Sequence, residues 1–219
     1  RVTTKAHQTW AKAREDNHFK GFEADLSRIM EMKRQEAEYR GYDKNPYDAL
    51  LGAYDKGIHA EMVKATFDGH KPELISLIAD VNKVAGRVSD SLVHGSFPSD
   101  IQREFSTFVL KTIGFDFERG RLDVAVHPFE INFSSHDVRL TTRYHEDWLN
   151  PALFGSMHEG GHGMYEQGVA PHLDGTILGS GTSLSVHESQ SRLWENIVGR
   201  SKNFWKWALP HFKQYFPHM

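Results

Sequence analysis

Two histidines four residues apart, with a glutamate after the first and two glycines between, constrain this chain more than any other stretch. His158-Glu159-Gly160-Gly161-His162 reads as part of a helix. A turn takes 3.6 residues, so positions i and i+4 share a face and both imidazoles can reach one metal ion. Glu159 is then placed beside that ion as a general base, the arrangement used in zinc-dependent hydrolysis. The glycines narrow the fold further. Each costs about 1 kcal/mol inside a helix relative to Ala, so the pair predicts a backbone approached closely by a substrate or a neighbouring helix. Asn150-Pro151 predicts the N-cap and first residue of this helix, and Gly168 its stop. Phe154, Met157, His158, Gly161, His162 and Tyr165 fall on one stripe at helical spacing. Because the chain holds 14 histidines, the string also arises by chance, and the competing reading is an amphipathic helix with two incidental histidines.

A catalytic zinc takes three protein ligands and keeps a fourth position open. Where the third is a glutamate, it sits on a second helix a couple of dozen residues downstream, which points to Glu188 in Val186-His187-Glu188-Ser189-Gln190. Ser185-Val186-His187-Glu188 also fits a capping box, in which Glu188 would only bond the helix start. Glu195, the other acid at comparable distance, reads as an ordinary surface residue. His187 competes as a ligand, but adjacent helical residues point about 100° apart, so only one of the pair can face the metal.

Ahead of the zinc helix run Gly120-Arg121-Leu122-Asp123-Val124-Ala125-Val126-His127-Pro128-Phe129 and Asp137-Val138-Arg139-Leu140-Thr141-Thr142-Arg143-Tyr144. An HPF tripeptide, a D-x-R-x-T strand, HExxH and a following H-E-S/G-Q, in that order, resemble the carboxypeptidase Taq family of metallocarboxypeptidases. Weaker echoes lie upstream at Asn45-Pro46-Tyr47-Asp48-Ala49-Leu50-Leu51 and Leu110-Lys111-Thr112-Ile113-Gly114-Phe115-Asp116. The resemblance implies a helical zincin-type fold and removal of C-terminal residues from peptides with a free C-terminus. It also implies one Zn2+ per chain, for which Co2+ can substitute, held by His158, His162 and Glu188, and a homodimer for the whole protein. His127, Arg139 and Thr141 match family motifs and are candidates for substrate binding. Two motifs that the family carries further on, I/V-R-x-x-A-D and G-x-x-Q-D-x-H-W, do not occur here, and members are about twice as long. The chain opens Arg1-Val2-Thr3-Thr4 with no initiator Met, so it reads as a central piece of a longer protein. The family's carboxylate-binding arginine then falls in a missing motif, with Arg139, Arg143 and Arg192 as substitutes; surface ion pairing is the plainer role for Arg143 and Arg192.

Composition excludes several other classes. The net charge of -3 gives no basic footprint for nucleic acid and no polybasic arm for a membrane. No run approaches the ~18 apolar residues of a transmembrane helix. With no Cys there is no disulfide scaffold, cysteine nucleophile or thiolate metal site, and cytoplasmic residence is the default expectation.

Most of the chain is predicted helical. Phe19, Phe22, Leu26, Ile29, Met30 and Ala37 keep helical spacing up to Gly41, and Asn45-Pro46 opens a second helix. Lys71-Pro72 is read as the start of a third, carrying a core-packing stripe of Leu74, Leu77, Ile78, Val81 and Val84. Pro98-Ser99-Asp100 starts a fourth, which ends at Gly114. Between Leu122 and Tyr144 the period changes to two, predicting two or three short strands before the zinc helix. Asp137–Tyr144 is placed at the edge, where an extended peptide could add. The expectation is one partial, mainly α domain over 1–219, with a helical region over 1–115 and a small sheet plus zinc-binding helices over 116–219. Three functions stay open on residues alone: a metallocarboxypeptidase, an HExxH oligopeptidase or endopeptidase, and a non-catalytic metal-binding fragment.

Overall fold

The computed structural model describes all 219 residues, mainly helical with one small sheet as the periodicities predict. The chain divides into two compact units, Arg1–Lys83 and Val84–Met219. In the first, α1 (Val2–Glu15) packs on α2 (Lys20–Arg40) through small residues, and Ala6, Ala13 and Ala37 are buried. Gly41, at a φ of 75°, ends α2 at the predicted stop. Asn45 caps α3 (Pro46–Leu51) by accepting the Tyr47 amide at 3.0 Å.

The next helix departs from expectation. α4 runs Ala60–Val84 with Pro72 inside it. Its start is fixed far upstream of that proline, where the Asp48 carboxylate accepts the Ala60 amide at 2.6 Å, so a helix with a good cap runs through a residue that breaks one internal hydrogen bond. Core packing of its apolar stripe is not found either: Leu74, Leu77, Ile78 and Val81 all stay exposed, because no helix of this unit packs against that face.

The second unit is built around one helix. α5 (Ser99–Ile113) ends at Gly114, in the left-handed region, as predicted. Then come β1 (Gly120–Val124), β2 (Glu130–Ser134) and β3 (Asp137–Thr142), followed by α6 (Asn150–Gln167), α7 (Leu184–Arg192), a π-helical segment over Leu193–Val198, and α8 (Lys202–Tyr215). Thus α5, the last of the helices expected in a 1–115 region, belongs with the sheet and α6. Strand order is β1-β3-β2, with β3 parallel to β1 and antiparallel to β2. The strand expected at the edge is therefore the central one. Val138, Leu140, Thr141 and Thr142 are buried in this central strand, which is flanked by β1 and β2.

α6 lies between two hydrophobic clusters. Phe97, Phe105, Val109, Leu153, Met157, Phe204 and Phe212 pack along one side, linking α5, α6 and α8. On the other, Leu110, Phe115, Leu122, Val138 and Leu140 join the sheet to the helices. A helix enclosed on most sides is held at a fixed depth and rotation. Its start differs from the capping prediction, since Leu149 occupies the cap position and the Asn150 side-chain oxygen is buried without a partner.

Candidate metal centre

The glycines of α6 set how closely its neighbours come. A Cβ on Gly161 would stand 2.6 Å from the Gln190 carbonyl oxygen and 2.6 Å from Ser191 Cα, so α7 packs directly on the α6 backbone. At Gly163 the added carbon would meet Phe115 Cε2 at 2.7 Å and Leu140 Cδ2 at 2.8 Å, and at Gly160 it would overlap Leu110 of α5. Of the two reasons the sequence offered for paired glycines, the neighbouring helix is the one observed.

That approach brings three donors together. Glu188 Oε2 lies 3.6 Å from His158 Nε2 and 3.4 Å from His162 Nε2, and donor atoms of the three residues all fall within 4.8 Å of one another. Donors held tetrahedrally at about 2.1 Å from one zinc ion stand about 3.4 Å apart, so this set fits a single ion. The capping-box alternative for Glu188 fails: Ser183 is the N-cap of α7 and accepts the Val186 amide. The Glu188 carboxylate is steadied instead by Arg192 Nε at 2.7 Å and Ser191 Oγ at 3.1 Å. Burial pushes its pKa up, but these hydrogen bonds and the charge of His158 and Arg192 hold it below the usual range. Arg192 does form ion pairs, as expected, although its partners are site carboxylates and not surface acids.

Both histidines are tied on their other nitrogen. His158 Nδ1 lies 2.9 Å from Glu195 Oε2, and Arg200 donates to Glu195 Oε1 at 2.8 Å. Glu195 is thus no ordinary surface acid; its side chain is 14% exposed and it orients a candidate ligand. Its helical offset of seven from Glu188, two turns along one face, was the available signal. His162 Nδ1 lies 2.6 Å from His187 Nδ1, and His187 Nε2 lies 2.7 Å from Glu166 Oε1. His187 therefore faces a ring and not the donor triangle, as the 100° rule between neighbours anticipated. Burial, with His187 and His158 alongside, lowers the His162 pKa to about 4, so the ring is neutral at ordinary pH, the form that ligates.

Glu159, one residue round α6 from His158, is buried and lies against the start of β2, within electrostatic reach of Glu188. Burial first, then the nearby Glu130 and Glu188, raises its pKa to about 8, against a hydrogen bond from the Glu130 backbone amide. Glu130 itself is raised to about 7 by burial and by Glu166, and its Oε1 has no partner. Neither Glu130 nor Glu166 was singled out in the sequence.

The remaining motif residues sit apart from the donors. Thr141 is buried, and its hydroxyl both accepts the Phe129 amide at 2.8 Å and donates to the Phe129 carbonyl at 3.1 Å, so it clasps the start of β2. Arg139 is paired bidentately with Asp137 at 2.8 and 2.7 Å and stacks over Phe133. By strand alternation Arg139 and Thr141 lie on the face opposite Val138, Leu140 and Glu130, away from α6. His127 is exposed in the segment between β1 and β2.

Residues 1–219 match the family model described as carboxypeptidase Taq (M32) metallopeptidase. Carboxypeptidase 1 of Bacillus subtilis is 37% identical over 213 residues, and thermostable carboxypeptidase 1 of Thermus thermophilus is 39% identical over 222. Each alignment covers 97% of this chain but only 42% and 44% of the respective relative. Among solved structures, that of BsuCP superposes with a TM-score of 0.94 at 36% identity, and the M32 carboxypeptidase from Deinococcus radiodurans R1 with 0.86 at 37%; each match covers 99% of this chain and 44% of the other. The chain thus spans less than half the length of the relatives it matches, and it belongs to the carboxypeptidase Taq (M32) metallopeptidase family.

Proposed function

We propose that this chain carries the metal-binding and general-base part of a zinc-dependent carboxypeptidase, with His158, His162 and Glu188 holding the ion and Glu159 acting as the base. The observation that carries the reading is the convergence of two Nε2 atoms and one carboxylate oxygen beside a buried glutamate. A zinc ion held there supplies a Lewis acid for the scissile carbonyl and makes water acidic at neutral pH. Glu159 takes the proton from the attacking water and passes it to the leaving amine. Its surroundings suit the task, because burial and the acids around it favour the protonated form that must exist midway through the reaction. The peptide itself is read as adding to β2, the edge strand beside α6, since β3 is already paired on both sides.

Recognition of a terminal carboxylate calls for a free cation, usually a bidentate arginine. Arg192 and Arg200, the arginines at the donor set, are already bonded to Glu188 and Glu195. On this reading the 219 residues bind metal, and full turnover belongs to the whole protein. The deciding assay gives the whole protein a blocked dipeptide with a free C-terminus and its amidated twin. Cleavage of the free acid alone supports a carboxypeptidase. Equal cleavage of both returns the reading to an oligopeptidase or endopeptidase.

A further inference from the structure

The hydrogen bonds behind His162 determine which of its nitrogens is free. Glu166 is 2% exposed and receives Asn132 Nδ2 at 3.0 Å, Ser180 Oγ at 3.1 Å and the Gly181 amide at 3.1 Å, besides His187 Nε2 at 2.7 Å. Two of these partners, Asn132 Nδ2 and the Gly181 amide, are obligate donors, the third is a hydroxyl and the fourth a ring nitrogen that can donate, so Glu166 is read as a carboxylate that accepts from all four. His187 must then carry its proton on Nε2. In neutral His187 this leaves a lone pair on Nδ1, which faces His162 Nδ1 at 2.6 Å. Two bare nitrogens cannot sit that close, so His162 donates from Nδ1 and keeps its lone pair on Nε2, the atom 3.4 Å from Glu188 Oε2. Gly181 leaves room for the arrangement: a Cβ there would lie 2.7 Å from His187 Cδ2 and 3.0 Å from Glu166 Oε1.

We propose that His187, seated on Glu166, is a positioning residue that fixes His162 in the Nδ1–H tautomer and aims its Nε2 at the donor set. The metal consequence rests on the zinc reading above; the tautomer does not. A ligand histidine whose other nitrogen loses its partner costs about 10–100-fold in metal affinity. The imidazole acts here as a spacer, carrying the influence of Glu166 to a ring the carboxylate does not touch, whereas His158 meets its own carboxylate directly.

The test uses the metal-free chain, 15N-labelled, at a pH where the His187 ring is seen to be neutral in the same long-range 1H–15N spectrum. Wild type should show His162 as Nδ1–H. His187→Ala should show mixed tautomers and bind zinc about 10–100-fold more weakly in competition with a chromophoric chelator. His187→Gln, whose amide can accept from His162 and donate to Glu166, should restore most of both. An Nε2–H His162 in wild type overturns the proposal whether or not the Ala variant folds. So does a folded His187→Ala that keeps the wild-type tautomer and a zinc affinity within about threefold. Wild type with Nδ1–H His162 and no zinc binding supports the relay and sinks the zinc reading alone.

Discussion

Gly161→Ala asks whether the close approach of α7 to α6 builds the donor set. Local propensity says the change should help, because Ala is about 1 kcal/mol better than Gly inside a helix. Packing says the reverse. The new Cβ would stand 2.6 Å from both the Gln190 carbonyl oxygen and Ser191 Cα, backbone atoms that cannot rotate away. Ordinary contact needs about 3.5–4.0 Å, so α7 must retreat by about 1 Å. Ser191 lies one turn beyond Glu188, and the retreat carries Glu188 away from His158 and His162, now 3.6 and 3.4 Å distant. Overpacking costs about 1–3 kcal/mol, enough to cancel or exceed the propensity gain, while a displaced donor should weaken zinc binding by about 10–100-fold. Gly155→Ala is the control. It lies in the same helix with the same propensity gain, but its Cβ would meet Thr142 Oγ1 at 3.6 Å and Pro128 Cγ at 3.8 Å, both ordinary contacts. It should gain up to about 1 kcal/mol and leave the metal affinity unchanged. Urea unfolding of the metal-free chain and zinc competition titrations read both quantities. If Gly161→Ala matches Gly155→Ala in stability and affinity, the close approach does not set the site.

Glu159→Gln in the whole protein should keep its zinc and lose about 10²–10⁴-fold in turnover; activity within threefold of wild type at equal metal content would refute Glu159 as the base. The isolated chain should take up zinc yet release little or no C-terminal residue from the blocked dipeptide, and release at the whole protein's rate would show that an arginine among these residues holds the substrate carboxylate. Glu130 should make the metal-free chain pH-sensitive. Its folded pKa of about 7 lies above the unfolded value near ~4.3, so the native state keeps a proton the unfolded chain gives up, and stability falls as pH rises from about 4.3 through 7. Melting in EDTA at pH 5 and pH 8 should show a larger loss for wild type than for Glu130→Gln; equal losses would mean that Glu130 is not held protonated.

How much of this was legible in the sequence depended on whether the signal was local. His158, Glu159 and His162 share one helix, so spacing alone placed them, and Asn45 and Gly41 worked as cap and stop for the same reason. Glu188 followed because the second helix had to supply one more donor. Strand order was not legible: alternation says that Val138 and Leu140 face inward but not which strands flank them. Pro72 misled because a start signal was read in isolation, while the true start depends on Asp48, twelve residues before Ala60 in the chain. Glu195 reads as a surface acid, and Glu166 and Glu130 draw no notice, because nothing nearby in sequence says that the fold draws them inward. The first two could have been found by asking which acids lie whole turns from a candidate ligand. Glu130 could not, since its neighbour Glu159 is reached only across the fold.

The acids of this centre divide into two groups, and the division fits the chemistry proposed for it. Glu166, Glu188 and Glu195 are held ionised against burial by hydrogen bonds from His187, from Arg192 and from Arg200 respectively. Glu159 and Glu130, toward β2, have no cation bonded to them and are pushed toward the protonated form, to about 8 and about 7. Environments that drive titratable groups apart in this way are what separate a charge-bearing role from a proton-carrying one. A ligand must keep its charge throughout; a base must gain a proton and give it up. A divalent cation at the donor set would lower the Glu159 pKa from about 8 toward neutral pH, the range in which a general base works best. On the proposed reading, the same carboxyl type would serve as ligand on α7 and as base on α6, and the difference lies in whether arginine or another acid stands beside it.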